Sequence, residues 1–408
     1  MVNADAKKNT RLKELTGIFL KLGTIGFGGP AAHIAMMEEE IVRRRKWITR
    51  EYFLDLVGAT NLIPGPNSTE MAIHIGYIRA GWSGLAVAGI SFILPAVVIT
   101  AAFAWAYMKF GSLPNIIPFF YGIKPAVLAV ILFAVWRLGR TAVKSWQLLV
   151  IGLFVTLASL LKINEVAVLL LGGVIGMFWL RLLPRRGTPL VLEITAGIST
   201  AISAILHHVR MSWGSVTGTA AMVAVGFSGP IGFSLLKLGL FFLKVGAVLF
   251  GSGYVLVAFL EGGLVHDYGW LSQQQLLDAI AIGQFTPGPV LSAATFIGYV
   301  ISGIPGAVVS TVAIFLPSFF FVAVLNPIVP RLRRSRWTSA FLDAVNVSSV
   351  ALMLAVVVKL GQTTLTGFPA GLIAAAALGI SFRWKVNATW LILGGAAVGW
   401  VLSVLGYV

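Results

Sequence analysis

The sequence predicts an all-α polytopic membrane protein built from two inverted-topology repeats, each opening with broken, re-entrant helical hairpins. Three observations lead to this fold class. The 408 residues are 58% hydrophobic and only 11% charged, whereas a soluble domain carries about a quarter charged residues. The second half of the chain repeats motifs of the first half, and the basic clusters of the two halves fall in loops that are not equivalent.

Apolar stretches long enough to cross a bilayer recur at 85–107, 116–136, 165–183 and 307–330, since about 20 residues suffice for a helical span. We read no removable signal peptide at the polar N-terminus. The formal charge of +16 raises nucleic acid as a partner. In a membrane protein, however, surplus Lys and Arg mark cytoplasmic loops. We therefore expect the lipid bilayer as a partner and no nucleic acid.

Composition and motifs exclude several chemistries. The chain has no cysteine, so it has no disulfide, thiolate metal site or cysteine nucleophile. Its five histidines form no metal-ligand pattern, and a GxxxxGK phosphate loop is absent. We expect no metal, no cofactor and no enzymatic activity.

The internal repeat defines the domains. The segment FLKLGTIGFGGP starting at Phe19 returns as FLKVGAVLFGSG at Phe242, and the PGP of 64–66 returns at 287–289, both at an offset of 223. After one deletion the offset becomes 222, which pairs Gly76-Tyr77 with Gly298-Tyr299. We divide the chain into a cytoplasmic tail (1–13), repeat one (14–182), a linker with at least one transmembrane span (183–236) and repeat two (237–408).

Charge places the two repeats in opposite orientations. The loop from Arg43 to Arg50 is strongly basic, but its equivalent at 262–275 has no Lys or Arg. The next basic cluster, Arg331 to Arg336, aligns with 109–114, which holds a single Lys. Because basic loops stay on the cytoplasmic side, the repeats are predicted to be inverted, as in many secondary transporters. We expect a multi-pass protein of the cell membrane with a cytoplasmic N-terminus.

Two segments of repeat one look like hairpins that enter and leave on one face, because basic residues flank both ends of 14–41 and of 52–78. Their midpoints hold Gly and Pro, which interrupt a helix. Broken backbone at membrane depth is tolerated only where protein or a wet cavity surrounds it. Four ordinary spans should follow the hairpins in each repeat.

The four breaks are the predicted binding site, since interrupted segments at equivalent positions mark substrate sites in inverted-repeat transporters. A helix that starts at a break offers free N–H groups and partial positive charge to an anion. The candidate residues are Phe27, Gly28, Gly29, Pro30, Asn61, Pro64, Gly65, Pro66, Asn67 and Ser68 in repeat one, and Gly251, Ser252, Gly253, Gln284, Pro287, Gly288 and Pro289 in repeat two. Alternatively, these residues only permit kinks or close packing, and Asn67 with Glu70 forms a capping box.

Charged residues inside apolar segments are functional candidates because charge is costly there. Lys21 and Lys244, each six residues before its Phe-Gly motif, are predicted to neutralise the bound anion. The alternative for Lys21 is that it reaches the headgroups. Glu38 and Glu261 are candidates for proton coupling, for bonding a helix end or for pairing with the lysines. Asp55 and Asp278 are expected to cap or anchor the second hairpin of each repeat.

The FGGP segment with Glu38 and Trp47, the PGP followed by Gly76-Tyr77, and the second copies of both motifs resemble the chromate transporter family, of the long two-domain type. The resemblance covers essentially the whole chain. It implies efflux of the chromate dianion, with sulfate as a chemically similar competitor. Together with the inverted repeats, it leads us to expect a secondary active exporter that works by alternating access and gives chromate resistance. The second copy, FGSG, lacks the proline of FGGP, so asymmetric roles are expected.

Other functions and assemblies stay open at this point. A passive anion channel, or a transporter of sulfate or another oxyanion, would use the same fold. An intramembrane enzyme is disfavoured because the sequence shows no Ser–His–Asp set and no metal-ligand spacing. The oligomeric state is undetermined, and a homodimer is compatible with the sequence.

Overall fold

The computed structural model describes residues 2–27, 29–111, 113, 116–161, 163–182, 234–250, 253–325, 335–384 and 386–405. Within these ranges the regular structure is entirely helical, with no β-strand. Most of the predicted linker lies outside the described residues, and so do Gly28, Gly251 and Ser252 of the predicted site.

The first half contains seven α-helices and one π-helical turn. They are α1 (Val2–Ile25), α2 (Gly29–Met37), the π-helical turn Glu38–Arg44, α3 (Arg50–Thr60), α4 (Asn67–Phe110), α5 (Ile117–Ala142), α6 (Trp146–Leu160) and α7 (Glu165–Leu182). Helix α1 begins within the predicted N-terminal tail. The predicted breaks are real helix boundaries, because α1 ends before the FGGP segment and α3 ends before the PGP.

The second half repeats this order. Its elements are α8 (Leu235–Val248), a 3₁₀ turn (Gly253–Val255), α9 (Leu256–Leu260), a π-helical turn (Glu261–Asp267), α10 (Gln273–Phe285), a 3₁₀ turn (Val290–Ser292), α11 (Ala293–Leu325), α12 (Arg336–Thr364), α13 (Phe368–Arg383) and α14 (Ala388–Val404). Each helix from α1 to α7 thus has an equivalent seven places later.

The repeated order extends to single backbone angles. Helix α4 is interrupted at Ala80 (φ −146°, ψ 24°) and Gly81 (φ 62°, ψ −148°). Helix α11 is interrupted at Ser302 (φ −147°, ψ 28°) and Gly303 (φ 61°, ψ −149°), 222 residues later. Positive φ at both glycines is a conformation that L-residues rarely adopt, so the two halves share one local structure.

The two halves interlock at their long helices. Helices α6 and α7 of the first half pack against α12 of the second, whereas α13 and α14 pack against α5. Helices α5 and α12 also contact each other. Glycines make the α5–α14 contact close: a β-carbon at Gly395 would lie 2.6 Å from the carbonyl oxygen of Gly122. One apolar core therefore contains residues of both halves.

The outer surface is apolar. Along α11 the side chains of Ile304, Val308, Val312, Leu316 and Phe320, four residues apart, are each more than half exposed. Such a continuous exposed apolar stripe is unfavourable in water but suits lipid chains. Five of the described helical segments are long and apolar enough to cross a membrane. They are α4, α5, α7, α12 and the segment Val290–Val324, which contains a 3₁₀ turn and most of α11. The all-helical polytopic membrane class is confirmed, while inverted orientation and re-entrant hairpins stay predictions.

We predict that Gly395→Leu lowers the melting temperature of the detergent-solubilised protein clearly, since overpacking costs about 1–3 kcal/mol. The matched control is Gly394→Leu, because nothing lies within 4 Å of a β-carbon at Gly394. Fluorescence-detected size-exclusion chromatography after heating measures both variants. Equal melting temperatures for the two variants would contradict the close α5–α14 contact.

Candidate functional site

At the FGGP break of repeat one, a single backbone carbonyl group, that of Gly26, makes two hydrogen-bonding contacts. Helix α1 ends at Ile25, and the carbonyl oxygen of Gly26 lies 2.8 Å from Nε2 of His33, one turn into α2. His33 is buried. The same carbonyl oxygen accepts a hydrogen bond from the N–H of Gly288 at 2.8 Å. Gly288 is the central residue of the PGP of repeat two, so this bond joins the two halves.

The other two breaks form the equivalent bond. The N–H of Gly65, in the PGP of repeat one, donates to the carbonyl oxygen of Leu249 at 2.7 Å. Gly65 and Leu249 correspond to Gly288 and Gly26 at the offset of 223. The four predicted breaks therefore meet in two pairs, each joining one repeat to the other. Both central glycines need positive φ, 140° at Gly65 and 92° at Gly288.

A large cavity lies where the first pair meets α5 and α14. Together with its opening to solvent it comprises about 1390 Å³. Its walls come from both repeats: Phe27, Gly29 and Ala32 at the first break, Val130, Phe133, Ala134 and Arg137 on α5, Tyr254, Gln284, Thr286 and Gly288 near the second PGP, and Ser381, Asn387 and Leu391 near the C-terminus. Four predicted site residues, Phe27, Gly29, Gln284 and Gly288, thus line one cavity.

Arg137 supplies the positive charge of this cavity. It sits on α5 with an exposed side chain, and no ion pair among the described residues includes it. The sequence analysis did not select Arg137 as a site residue. The available signal was that two basic residues, Arg137 and Lys359, stand at equivalent positions late in long apolar runs.

Gln284 adds neutral donors and acceptors to the same wall. Its Oε1 accepts from the hydroxyl of Tyr254 at 3.3 Å, and its backbone carbonyl oxygen accepts from Thr389 at 3.2 Å. Its buried Nε2 has no hydrogen-bond partner in the part of the chain that the structure describes. Leaving a buried donor unpaired is costly, so this amide is available to an acceptor. A guanidinium with an amide donor is the chemistry of an oxyanion site.

Asn61 and Asn67 line a second cavity of about 600 Å³, beside the PGP of repeat one. The amide of Asn67 donates to the side-chain oxygen of Asn61. The cation of this cavity, Lys144, is paired with Asp343 at 2.7 Å. Hence the two cavities differ in charge, since only the larger one presents a cation without a carboxylate partner among the described residues.

Pro64, Pro66, Pro287 and Pro289 frame the two PGP turns, and Ser68 is buried in the first turn of α4. Pro30 follows the first residue of α2, and Gly253 begins the 3₁₀ turn after the second break. None of these residues lines the larger cavity. They shape the breaks, and the cavity walls are contributed by their neighbours.

The structure does not bring the two predicted lysines to the breaks. Lys21 is exposed on α1. It lines neither of the two cavities above nor the cleft that contains Lys244. Lys244 lines a separate cleft of about 570 Å³ together with Glu165 and Asp267. Spacing along a helix placed both lysines near the breaks in depth, but it did not fix the face on which they lie.

The two predicted coupling carboxylates have different environments. Glu38 Oε1 lies 3.2 Å from Nε of Arg50, whose side chain is 69% exposed. Glu261 is completely buried, with Oε2 3.1 Å from Nζ of Lys359 and Oε1 3.1 Å from Nε2 of His266. Glu261 therefore ties its π-helical turn to α12, whereas Glu38 stays at the surface of its own segment.

Asp278 anchors α10 to the first half. Its Oδ2 accepts from the hydroxyl of Tyr107 at 2.9 Å, and its Oδ1 lies 3.9 Å from Nζ of Lys124. These contacts hold α10 against α4 and α5. Asp278 belongs to the second half and its partners to the first, so residues of one repeat fix the position of a helix of the other.

The capping box of Asn67 and Glu70, the alternative interpretation of this segment, is absent, because α4 has no side-chain cap and Asn67 bonds Asn61 instead. Glu70 is fully buried against Gly65 and close to Ser318, and neither carboxyl oxygen has a hydrogen-bond partner within the described ranges. The distinguishing signal was its lack of a repeat: Glu70 aligns with Ser292 or Ala293, depending on where the deletion falls.

Comparison with known proteins identifies the family. The family model described as chromate transporter matches residues 13–177 and matches again at 236–400. The chain belongs to the chromate transporter family. It is 33% identical over 390 residues to the chromate transport protein of Cupriavidus metallidurans, covering 95% of this chain and 92% of that protein.

Other relatives match either most of the chain or about half of it. A probable chromate transport protein of Synechococcus elongatus is 32% identical, over 92% of this chain and 91% of its own length. The uncharacterized transporter YwrA of Bacillus subtilis is 26% identical over 165 residues, 38% of this chain but 93% of that protein. A single half of the present chain is thus comparable to a whole protein. No solved structure matches the chain significantly.

We predict that Gly288→Ala abolishes most chromate transport. A β-carbon there would lie 2.9 Å from Cβ of Ala96 and would separate the PGP from the first break. Gly303→Ala is the matched control, since φ is also positive but nothing lies within 4 Å. Both variants should lose some thermal stability through backbone strain. Equal transport by the two variants in proteoliposomes would show that contact between the breaks is not needed.

Proposed function

We propose that this protein exports an oxyanion, chromate first, across the cell membrane by alternating access and so confers chromate resistance. The observation that carries the proposal is Arg137, which lines the cavity between the first break and the second PGP and has no carboxylate partner among the described residues. The family supplies the substrate class, and the cavity supplies a place for it.

Chromate is a tetrahedral dianion with four acceptor oxygens. The planar guanidinium of Arg137 suits two such oxygens at once. The free amide of Gln284 and the backbone N–H groups at the start of α2 can donate to the others. Gly29 and Gly288 allow the oxyanion to approach the backbone, because they carry no side chain. In this arrangement every substrate contact is a hydrogen bond or a charge contact.

The driving force requires no nucleotide. An inside-negative potential favours outward movement of a dianion by about 2.3 kcal/mol per charge for each 100 mV. We place the N-terminus in the cytoplasm and the repeats in opposite orientations, as the basic loops indicate. Glu38 and Glu261 are proposed to couple conformational change to substrate binding. The linker is proposed to cross the bilayer an odd number of times, so that the second repeat is inverted.

A passive anion channel is the second candidate, favoured by the solvent-open cavity between the breaks, and sulfate is the chemically nearest alternative substrate. Proteoliposomes with separately imposed voltage and pH gradients distinguish these functions. We expect saturable chromate movement, competition by sulfate, and exchange of labelled for unlabelled chromate at zero voltage. Currents that grow linearly with chromate concentration would indicate a channel instead.

We predict that Arg137→Gln reduces chromate transport about ten- to hundredfold. Losing a charged hydrogen bond costs about 1.5–3 kcal/mol, and 1.4 kcal/mol is tenfold. Arg137→Lys should retain part of the activity because it keeps the charge. The control is Arg140→Gln, three residues later on α5, whose guanidinium lies over Trp136 at 5.1 Å. Unchanged transport by Arg137→Gln in proteoliposomes would remove the cavity from the mechanism.

A further inference from the structure

The two basic residues at equivalent positions of the long helices are in opposite situations. Arg137 on α5 and Lys359 on α12 correspond at the offset of 222. Arg137 lines the larger cavity without a carboxylate partner among the described residues. Lys359 is 16% exposed, and its Nζ lies 3.1 Å from the buried carboxylate of Glu261. One cation is accessible, and the other is neutralised.

The carboxylates that face these cations are also equivalent. Glu38 and Glu261 correspond at the offset of 223. Glu261 reaches its cation on the long helix, but Glu38 instead pairs with Arg50 at 3.2 Å. The position equivalent to Arg50 is Gln273, so Glu261 has no such competitor. An exposed pair such as Glu38–Arg50 contributes little free energy, and Glu38 can leave it at small cost.

The segments carrying these carboxylates occupy different positions against the long helices. We call residues 29–44 arm one and residues 253–267 arm two. Arm two packs directly on α12 through its 3₁₀ turn and α9. Arm one faces α5 across the larger cavity, with Ala32 on one wall and Ala134 on the other. Arm two is therefore closed on its long helix, and arm one is open.

From this asymmetry we propose that Lys359 is a second oxyanion-binding residue, occluded here by Glu261. In the alternate conformation the two repeats exchange states. Arm two leaves α12 and frees Lys359 for the oxyanion, while arm one closes on α5 and Glu38 takes the oxyanion's place on Arg137. This inference rests on the proposed function and names the residue that receives the substrate in the opposite state.

The proposed exchange of states between the repeats explains why the conformational change occurs only with bound substrate. Removing Glu261 from Lys359 leaves a partly buried cation without its hydrogen-bonded carboxylate, which is unfavourable. An oxyanion arriving at Lys359 offsets that loss, because it supplies the negative charge and acceptor oxygens of the departing carboxylate. Without an oxyanion the closed arm is favoured, so the empty protein does not open on both sides.

Cysteine cross-linking tests the exchange directly, since the natural chain contains no cysteine. Val255→Cys with Val356→Cys reports closure of arm two, because Val255 lies on the 3₁₀ turn that packs against α12, the helix that carries Val356. Ala32→Cys with Ala134→Cys, the equivalent positions, reports closure of arm one. All four charged residues stay in place. In proteoliposomes a short bis-thiosulfonate reagent should link the first pair readily and the second pair poorly.

Variants of the charged residues should change the cross-linking yields of the two cysteine pairs in opposite directions. Glu261→Gln should raise the yield of the Ala32/Ala134 pair several-fold and lower that of the Val255/Val356 pair. Adding Glu38→Gln should cancel this rise, whereas Glu39→Gln, the neighbouring exposed carboxylate, should not. Failure of the Ala32/Ala134 pair to link in Glu261→Gln, or equal suppression by Glu39→Gln, overturns the exchange.

Measurements of chromate transport and of chromate affinity distinguish a substrate-binding role of Lys359 from a structural role. Lys359→Gln should still bind chromate at Arg137 in equilibrium dialysis but lose at least tenfold in transport. The swap of Glu261→Lys with Lys359→Glu should restore thermal stability without restoring transport, because it places a carboxylate where the oxyanion must bind. Restored transport in the swap overturns the proposal. Normal transport by Arg137→Gln would instead contradict the proposed function itself.

Discussion

Backbone groups at a helix break need hydrogen-bond partners where water is absent, and the rest of this structure depends on that constraint. A helix interrupted at membrane depth leaves N–H and C=O groups that lipid cannot satisfy. Here each PGP gives its central N–H to the break of the other repeat, from Gly65 to Leu249 and from Gly288 to Gly26. The repeats are thereby obliged to fold together. The interlocked helices, the shared core and the cavity beside the first pair follow from this exchange.

The positions of the breaks could be predicted from sequence because Pro and Gly act locally on backbone dihedrals. The partners of the breaks could not, since the bond from Gly288 to Gly26 joins residues 262 positions apart. The same limit explains the lysines. Residue spacing gave the depth of Lys21 and Lys244 but not the faces they occupy, which are set by packing against other helices.

Arg137 shows why part of the site was missed. Near the end of an apolar run, a basic residue is usually an interfacial anchor, and only the cavity distinguishes it from one. Glu261 illustrates the converse. Its equivalence to Glu38 suggested a common role, yet one carboxylate is fully buried and pairs with Lys359, whereas the other is partly exposed and pairs with Arg50. Sequence repetition predicts shared structure, and departures from it point to where the halves act differently.

Asymmetry within a duplicated protein has two possible origins, different residues or different conformations, and both are visible here. Glu70 has no acidic counterpart in the second half, so its burial beside Gly65 is a fixed difference. Arm one and arm two instead carry equivalent carboxylates before equivalent cations, and they differ in whether they touch the long helix. Only a difference in conformation, and not a difference in residues, can be reversed during a transport cycle. A single structure of a duplicated transporter therefore contains information about its other state, because each half displays a geometry available to its partner.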